Sequence, residues 1–161
     1  MTAALRTPHL ARAVTDYVRV FGFTCQQHIP GVLALLQHGP LHLQLWACAG
    51  TPGRFERPDE ADLTARDFVP GQHSVVVTHI HALHASLRAA VQRAGADAAV
   101  HLPGAGPQLQ AWGAWEFALR DGDGHLIHCV DWGAWRPDPA RLSGFDLPFD
   151  ALADDDAEDR P

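Results

Sequence analysis

Lysine is absent: all 12 basic residues of the 161-residue chain are arginine. With many alanines, glycines and prolines, this usage points to a GC-rich bacterial genome and says nothing about function. Cysteine is scarce. Cys25, Cys48 and Cys129 are scattered and odd in number, which excludes a disulfide framework and a CxxC pair. A reducing cytoplasm is the expected setting. No apolar run approaches the roughly 18 residues that a membrane helix needs. Met1 to Leu5 lacks a charged region leading into an apolar stretch, so neither a signal peptide nor a membrane partner is expected. Positive charge is also short. A net charge of −7 argues against nucleic acid as a partner. There is no nucleophile elbow, no phosphate-binding P-loop and no GxGxxG in a strand–turn–helix setting.

The charge that is present is uneven. From Trp132 onward the chain carries −5, and residues 1–131 carry only −2. The excess therefore sits in a Pro- and Asp-rich segment, 136–161, that reads as a solvated tail. The hydrophobic fraction of 47% is enough for a real core.

Helical spacing is clear twice. Thr7 and Pro8 offer a cap and a first helical position ahead of Leu10, Val14, Tyr17 and Phe21, and Gly22 closes the run. Thr78 offers a cap ahead of Ile80, Leu83, Leu87 and Val91, and Gly95 closes it. A short strand precedes each helix, Ala3–Arg6 and Ser74–Val77. Three strand-like runs follow each: Phe23–Ile29, Val32–Gln37 and Leu41–Ala47, then Ala98–Leu102, Trp112–Arg120 and His125–Asp131. The chain thus reads βαβββ twice, as a repeat of pattern in an α+β protein. The expected division is 1–47 and 72–135 for the modules, 48–71 for a linker rich in Pro, Gly and charge, and 136–161 for the tail.

The turn Asp121-Gly122-Asp123-Gly124 decides which side chains share a face, because a one-residue slip flips a strand. A two-residue loop leaves both faces mixed. A three-residue loop, with Gly124 left-handed in a G1 bulge, puts Phe117, Leu119, Ile127 and Cys129 on one face. Glu116, Ala118, Arg120, Leu126, His128 and Val130 then share the other. Burying Glu116 or Arg120 unpaired against a helix would cost several kcal/mol, which favours the three-residue loop. The polar face then lines a cavity.

The segment Trp112-Gly113-Ala114-Trp115-Glu116-Phe117-Ala118-Leu119-Arg120-Asp121-Gly122-Asp123-Gly124-His125-Leu126-Ile127 resembles the closing motif of the bleomycin-resistance proteins. These belong to the glyoxalase/bleomycin-resistance/extradiol-dioxygenase (vicinal oxygen chelate) superfamily. Ala13-Val14 through Tyr17 to Phe21-Gly22-Phe23 is similar to that family's opening helix. The likeness covers about residues 1–132 and departs at Trp115 (usually Arg), Gly122 (usually Pro), His125 (usually Asn) and Asp16 (usually aromatic). It implies paired βαβββ modules with open, curled mixed sheets, completed into cup-shaped cavities by homodimerisation.

The resemblance also implies where a divalent metal would sit in the enzymes of the superfamily, on the first and last strands of each module. Here the four positions fall near Thr2, at His42 or Gln44, at Gln72 or His73, and at His128. Thr2 is a poor ligand, and His128 stands where the enzymes place Glu. Some bleomycin-resistance proteins, which bind without metal, carry His there. No cofactor is therefore expected; one divalent metal is the alternative.

Five tryptophans are many for this length. Trp46 and Trp112 fall near the expected cup, Trp115 should face the helix, and Trp132 and Trp135 should pack the tail or a partner subunit. His79, His81 and His84 read as a solvated helix face, and His9, His28, His38, His101 and His125 as cap, turn or strand-end residues. The candidate ligand-binding residues are His42, Gln44, Trp46, Trp112, Glu116 and His128. Glu116 and His128 could instead be a general acid–base pair. The expected function is metal-free sequestration of an aromatic or cationic small molecule, conferring resistance. The rivals are a metal-dependent lyase, isomerase or dioxygenase of the same fold, and an interaction module that uses the tail.

Overall fold

The structure is a computed structural model that describes residues 2–48 and 68–134. The expected linker (for the most part), the expected tail and Trp135 lie outside the described residues.

The first module runs β1 (Thr2–Thr7), α1 (Leu10–Arg19), β2 (Thr24–Ile29), β3 (Leu33–His38) and β4 (Leu41–Ala47). Its sheet has the order β1-β4-β3-β2, with β1 parallel to β4 and the other pairs antiparallel. The second module runs β5 (Gln72–Val76), α2 (Ile80–Arg93), α3 (Ala98–His101), β6 (Gln108–Leu109), β7 (Trp115–Arg120) and β8 (Leu126–Asp131). Its sheet repeats the plan as β5-β8-β7-β6, with β5 parallel to β8. The result is an α+β fold of two tandem modules with two separate four-stranded mixed sheets.

Period-2 burial explains the strands. In β4, Leu41, Leu43, Leu45 and Ala47 are buried, while His42, Gln44 and Trp46 alternate onto the other face. In β8, Ile127 and Cys129 are buried between Leu126, His128 and Val130. The helices cover the buried faces with stripes at 3.6-residue spacing: Leu10, Ala13 and Tyr17 from α1, and Ile80, Leu83, Leu87 and Val91 from α2. Phe21 and Phe23 pack their rings 5.4 and 5.2 Å from that of Tyr17 and seal the first core.

Local details depart from the sequence reading in three places. Neither threonine caps its helix. The Thr7 hydroxyl donates to Asp123 at 2.6 Å and accepts the His9 N–H, so α1 starts later, at Leu10. At α2 the N-cap position is His79, in the left-handed region at φ 55°, and Asp131 of β8 accepts the Ile80 N–H at 3.1 Å. A tertiary carboxylate thus does the capping at α2. The third departure is Ala98–Leu102, expected as a strand. Asp97 accepts the Ala99 N–H at 2.8 Å, and the alanine-rich run that follows forms the short helix α3. Its place in the sheet is taken by the two residues of β6.

The β7–β8 register pairs Arg120 with Leu126 and Phe117 with Cys129, which leaves a three-residue loop, Gly122-Asp123-Gly124. The Gly124 N–H closes the turn onto the Asp121 carbonyl at 3.2 Å, and Gly124 lies at φ 90°, where a β-carbon would strain the backbone. The faces sort as the register demands. Phe117, Leu119, Ile127 and Cys129 face α2, and Glu116, Ala118, Arg120, Leu126, His128 and Val130 face away from it.

Candidate functional site: two open sheet faces and a buried hairpin

Each sheet has one face covered by its helix and one face without a helix. On the first sheet the open face sets Trp46, Leu33 and Leu35 among polar side chains. Register places Trp46 between Arg6 and Leu33, Gln44 between Ala4 and Leu35, and His42 between Thr2 and Gln37. The Trp46 indole N–H points to the Gln44 side-chain oxygen at 3.4 Å. Trp46, Gln44, Leu33 and Leu35 are half-buried, and His42 is exposed. Arg6 is a neighbour of Trp46 that the sequence reading missed. Its only signal is parity, two residues from Ala4 on a strand whose alternate members are buried.

On the second sheet the open face is polar. His128 lies between Ser74 and Ala118, and Glu116 lies one diagonal step away beside Val130. The His128 Nδ1–H donates to Glu116 Oε1 at 2.6 Å, with 27% and 20% of the two side chains exposed. A carboxylate and an imidazole, half out of solvent and locked to each other, give this face a carboxylate hydrogen-bond acceptor and an Nε2 with no partner among the described residues.

Of the candidate metal positions on β5, Gln72 pairs with Leu126 and so lies on the His128 face. His73 pairs with Ile127 and lies on the helix side, its ring centroid 5.4 Å from that of His125. Its buried Nε2 has no partner among the described residues, and burial followed by the neighbouring His125 pushes its pKa down. His73 therefore cannot join His128 at one ion. Among the described residues no three His, Cys, Asp or Glu side chains come together as a metal site. His42 and Gln44 belong to the other sheet, so a full ligand set needs the two open faces to meet.

Trp112 sits outside the strands, 55% exposed, in the tight turn between β6 and β7 that the Gln110 N–H closes onto the Ala114 carbonyl. Trp115 faces the helix as parity requires, its ring centroid 4.6 Å from that of His81. His84 corrects the solvated-face reading. It is 9% exposed and packs edge-on against Phe117. Its position between Ile80 and Leu87, on the apolar stripe, is the signal that should have placed it inside.

The β7–β8 turn is more than a closure. Asp121 is buried and accepts from the Tyr17 hydroxyl at 2.9 Å and from the N–H groups of Asp123 and His125 at 3.0 and 2.8 Å. Burial pushes the Asp121 carboxyl up, and burial followed by Asp121 pushes the Tyr17 phenol well above its usual range. Asp123 takes the Thr7 hydroxyl and pairs with the Arg12 guanidinium. His125 accepts the Gly71 N–H at Nδ1, 2.9 Å away, so its Nε2 carries the proton and donates to the Arg6 carbonyl at 2.7 Å. The turn of the second module is thereby fastened to the first strand and helix of the first. Two departures from the resembled motif meet here as well. A β-carbon on residue 122 would come 2.9 Å from the Asp16 carboxylate, so Gly122 and Asp16 fit each other.

The two-module architecture is shared with solved structures, although not through close sequence likeness. No family profile matches the chain, and neither does any curated protein sequence. Solved structures do match. TioX from Micromonospora sp. ML1 is 22% identical at a TM-score of 0.52, over 81% of this chain and 96% of that one. A bleomycin resistance determinant encoded on the transposon Tn5 is 23% identical at 0.50, over 81% and 95%. Lactoylglutathione lyase from Agrobacterium tumefaciens is 19% identical at 0.50, over 83% and 95%. The chain has the fold that these proteins share.

Proposed function

We propose that this protein binds and sequesters an aromatic or cationic small molecule without metal. Two copies meet so that the Trp46-bearing open face of one first sheet stands opposite the Glu116- and His128-bearing open face of the partner's second sheet. Trp46 stacks on the ligand, with Trp112 as a second aromatic surface, and Glu116 with His128 supplies the polar contacts alongside His42 and Gln44. The observation that carries this reading is the Glu116–His128 pair, which holds a half-exposed carboxylate acceptor on a face that no helix covers. A carboxylate at a half-buried wall favours a cationic partner, and an indole favours a planar or cationic one. No helix among the described residues is long and apolar enough to cross a membrane.

A screen of aromatic and glycopeptide compounds by tryptophan fluorescence quenching tests the proposal. Saturable quenching is expected, weakened at least tenfold by Glu116→Gln and by Trp46→Ala. Sedimentation should give a dimer. The second reading, a metal-dependent lyase, isomerase or dioxygenase, draws on Gln72 lying on the His128 face. Its ligands would be His128, Gln72, and His42 or Gln44 of the facing sheet. Metal analysis of protein purified without a His tag separates the two. Stoichiometric metal that is lost in His128→Ala would overturn the metal-free reading.

A further inference from the structure

A cavity lies on the helix side of the second sheet, away from both open faces. It has a volume of about 340 Å³ between α2, α3 and the segment that follows α3. Its walls divide by chemistry. Ala98, Ala99, Leu102 and Ala105 make an apolar pocket, while His84 and Arg88 stand together on one side. The two are four residues apart on α2 and so share a helix face one turn apart.

Neither polar group is committed elsewhere. His84 is 9% exposed, and its ring nitrogens make no hydrogen bond among the described residues, although its ring is fixed edge-on against Phe117 at 5.0 Å. Arg88 makes no ion pair among the described residues. Gly106, whose φ of 128° disfavours a side chain, passes the His84 ring at ordinary contact distance. An uncommitted guanidinium one turn away supplies a charge of fixed sign beside the imidazole, whose nitrogens face the cavity. Burial followed by Arg88 pushes the His84 pKa down, which keeps the ring neutral with one N–H to donate.

We infer that this cavity is a binding site for a small carboxylate with a compact apolar body. The carboxylate takes the Arg88 guanidinium and the His84 N–H, and the apolar body fills the space lined by Ala99, Leu102 and Ala105. Neither group alone accounts for the site. A bare anion would leave the apolar walls wet, and a neutral hydrocarbon would leave both donors unpaired.

Benzoate, inorganic phosphate and benzyl alcohol are the three probes, each titrated into the full chain while the His84 ring resonances are followed by NMR. Benzoate should shift them saturably, with phosphate and benzyl alcohol at least tenfold weaker. Arg88→Gln, at an exposed position, should weaken benzoate about tenfold, the usual loss for one charge-assisted hydrogen bond. His84→Gln, followed instead by the backbone amide resonances of Ala98–Leu102, should weaken it too, with circular dichroism confirming that the variant is folded. Benzoate binding no more tightly than benzyl alcohol would overturn the inference. So would affinity unchanged in Arg88→Gln, or phosphate binding as well as benzoate. None of these outcomes depends on the ligand of the open faces.

Discussion

The two modules share one topology and put it to different use. The first has four strands of six or seven residues and an open face where Trp46, Leu33 and Leu35 stand among Arg6, His42, Gln44 and Gln37. The second gives up most of one strand. A short helix replaces the expected strand at Ala98–Leu102, and β6 keeps two residues. In exchange it carries the polar pair Glu116–His128, the buried His84 and the turn that grips the first module. A sheet needs one buried face to be stable, and both modules keep that face apolar, with Leu5, Leu36, Leu41, Leu43 and Leu45 in the first and Val75, Phe117, Leu119, Ile127 and Cys129 in the second. The face left over is free to diverge, because its side chains are not held by core packing.

The largest effects should come from that shared requirement. Leu45→Ala in the first module and Leu119→Ala in the second remove side chains that are 1% and 0% exposed. Each should lower the unfolding free energy by about 2–5 kcal/mol in denaturant titrations. Both should shift one common transition, because the hairpin ties the modules together. Two separate transitions would break that picture.

The tie itself comes next. Asp123→Ala and Tyr17→Phe each strand a buried partner and should cost about 1–3 kcal/mol. Tyr17→Phe also has a pH signature. The phenol is held well above its usual 10.0 by burial and by Asp121. Its contribution is therefore complete below pH 10 and lost as pH rises through the higher folded value. Stability at alkaline pH should fall in the parent protein, and this limb should flatten in Tyr17→Phe. An unchanged alkaline limb would sink the assignment.

Smaller effects separate the faces. Cys129 lies behind Glu116 on the helix side, and burial pushes its thiol up to about 12. Thiol labelling of the folded protein should spare it while the half-buried Cys25 and Cys48 react. Rapid labelling of Cys129 would mean that the second core is looser than the first. The smallest change is expected at His73. His73→Leu removes an unpaired buried nitrogen and should be neutral, or stabilising by up to about 1 kcal/mol. A clear loss of stability would show that Nε2 has a partner.

Much of this was legible in the residues themselves. Periodicity gave both helices and the parity of β4 and β8, and it gave the order of elements except at Ala98–Leu102, where a short helix stands in place of the expected strand. Counting the residues of the Asp121 turn was enough to place Glu116 and His128 side by side, since parity is a local property of the chain. The candidates on β5 show the same rule at its limit: Gln72 and His73 stood as alternatives until pairing with Leu126 and Ile127 gave them opposite faces. What was illegible depended on contacts distant in sequence. Thr7 looks like a cap until Asp123 takes its hydroxyl, and Thr78 looks like one until Asp131 arrives from β8. Asp121 and Asp123 look like turn formers until Tyr17 and Arg12 meet them. The sequence by itself determined which side chains share a strand face and which stripe each helix buries, because those follow from backbone periods of 2 and 3.6. Tertiary structure alone decided which polar groups satisfy one another. A buried donor or acceptor must find a partner wherever the fold brings one, at any distance along the chain.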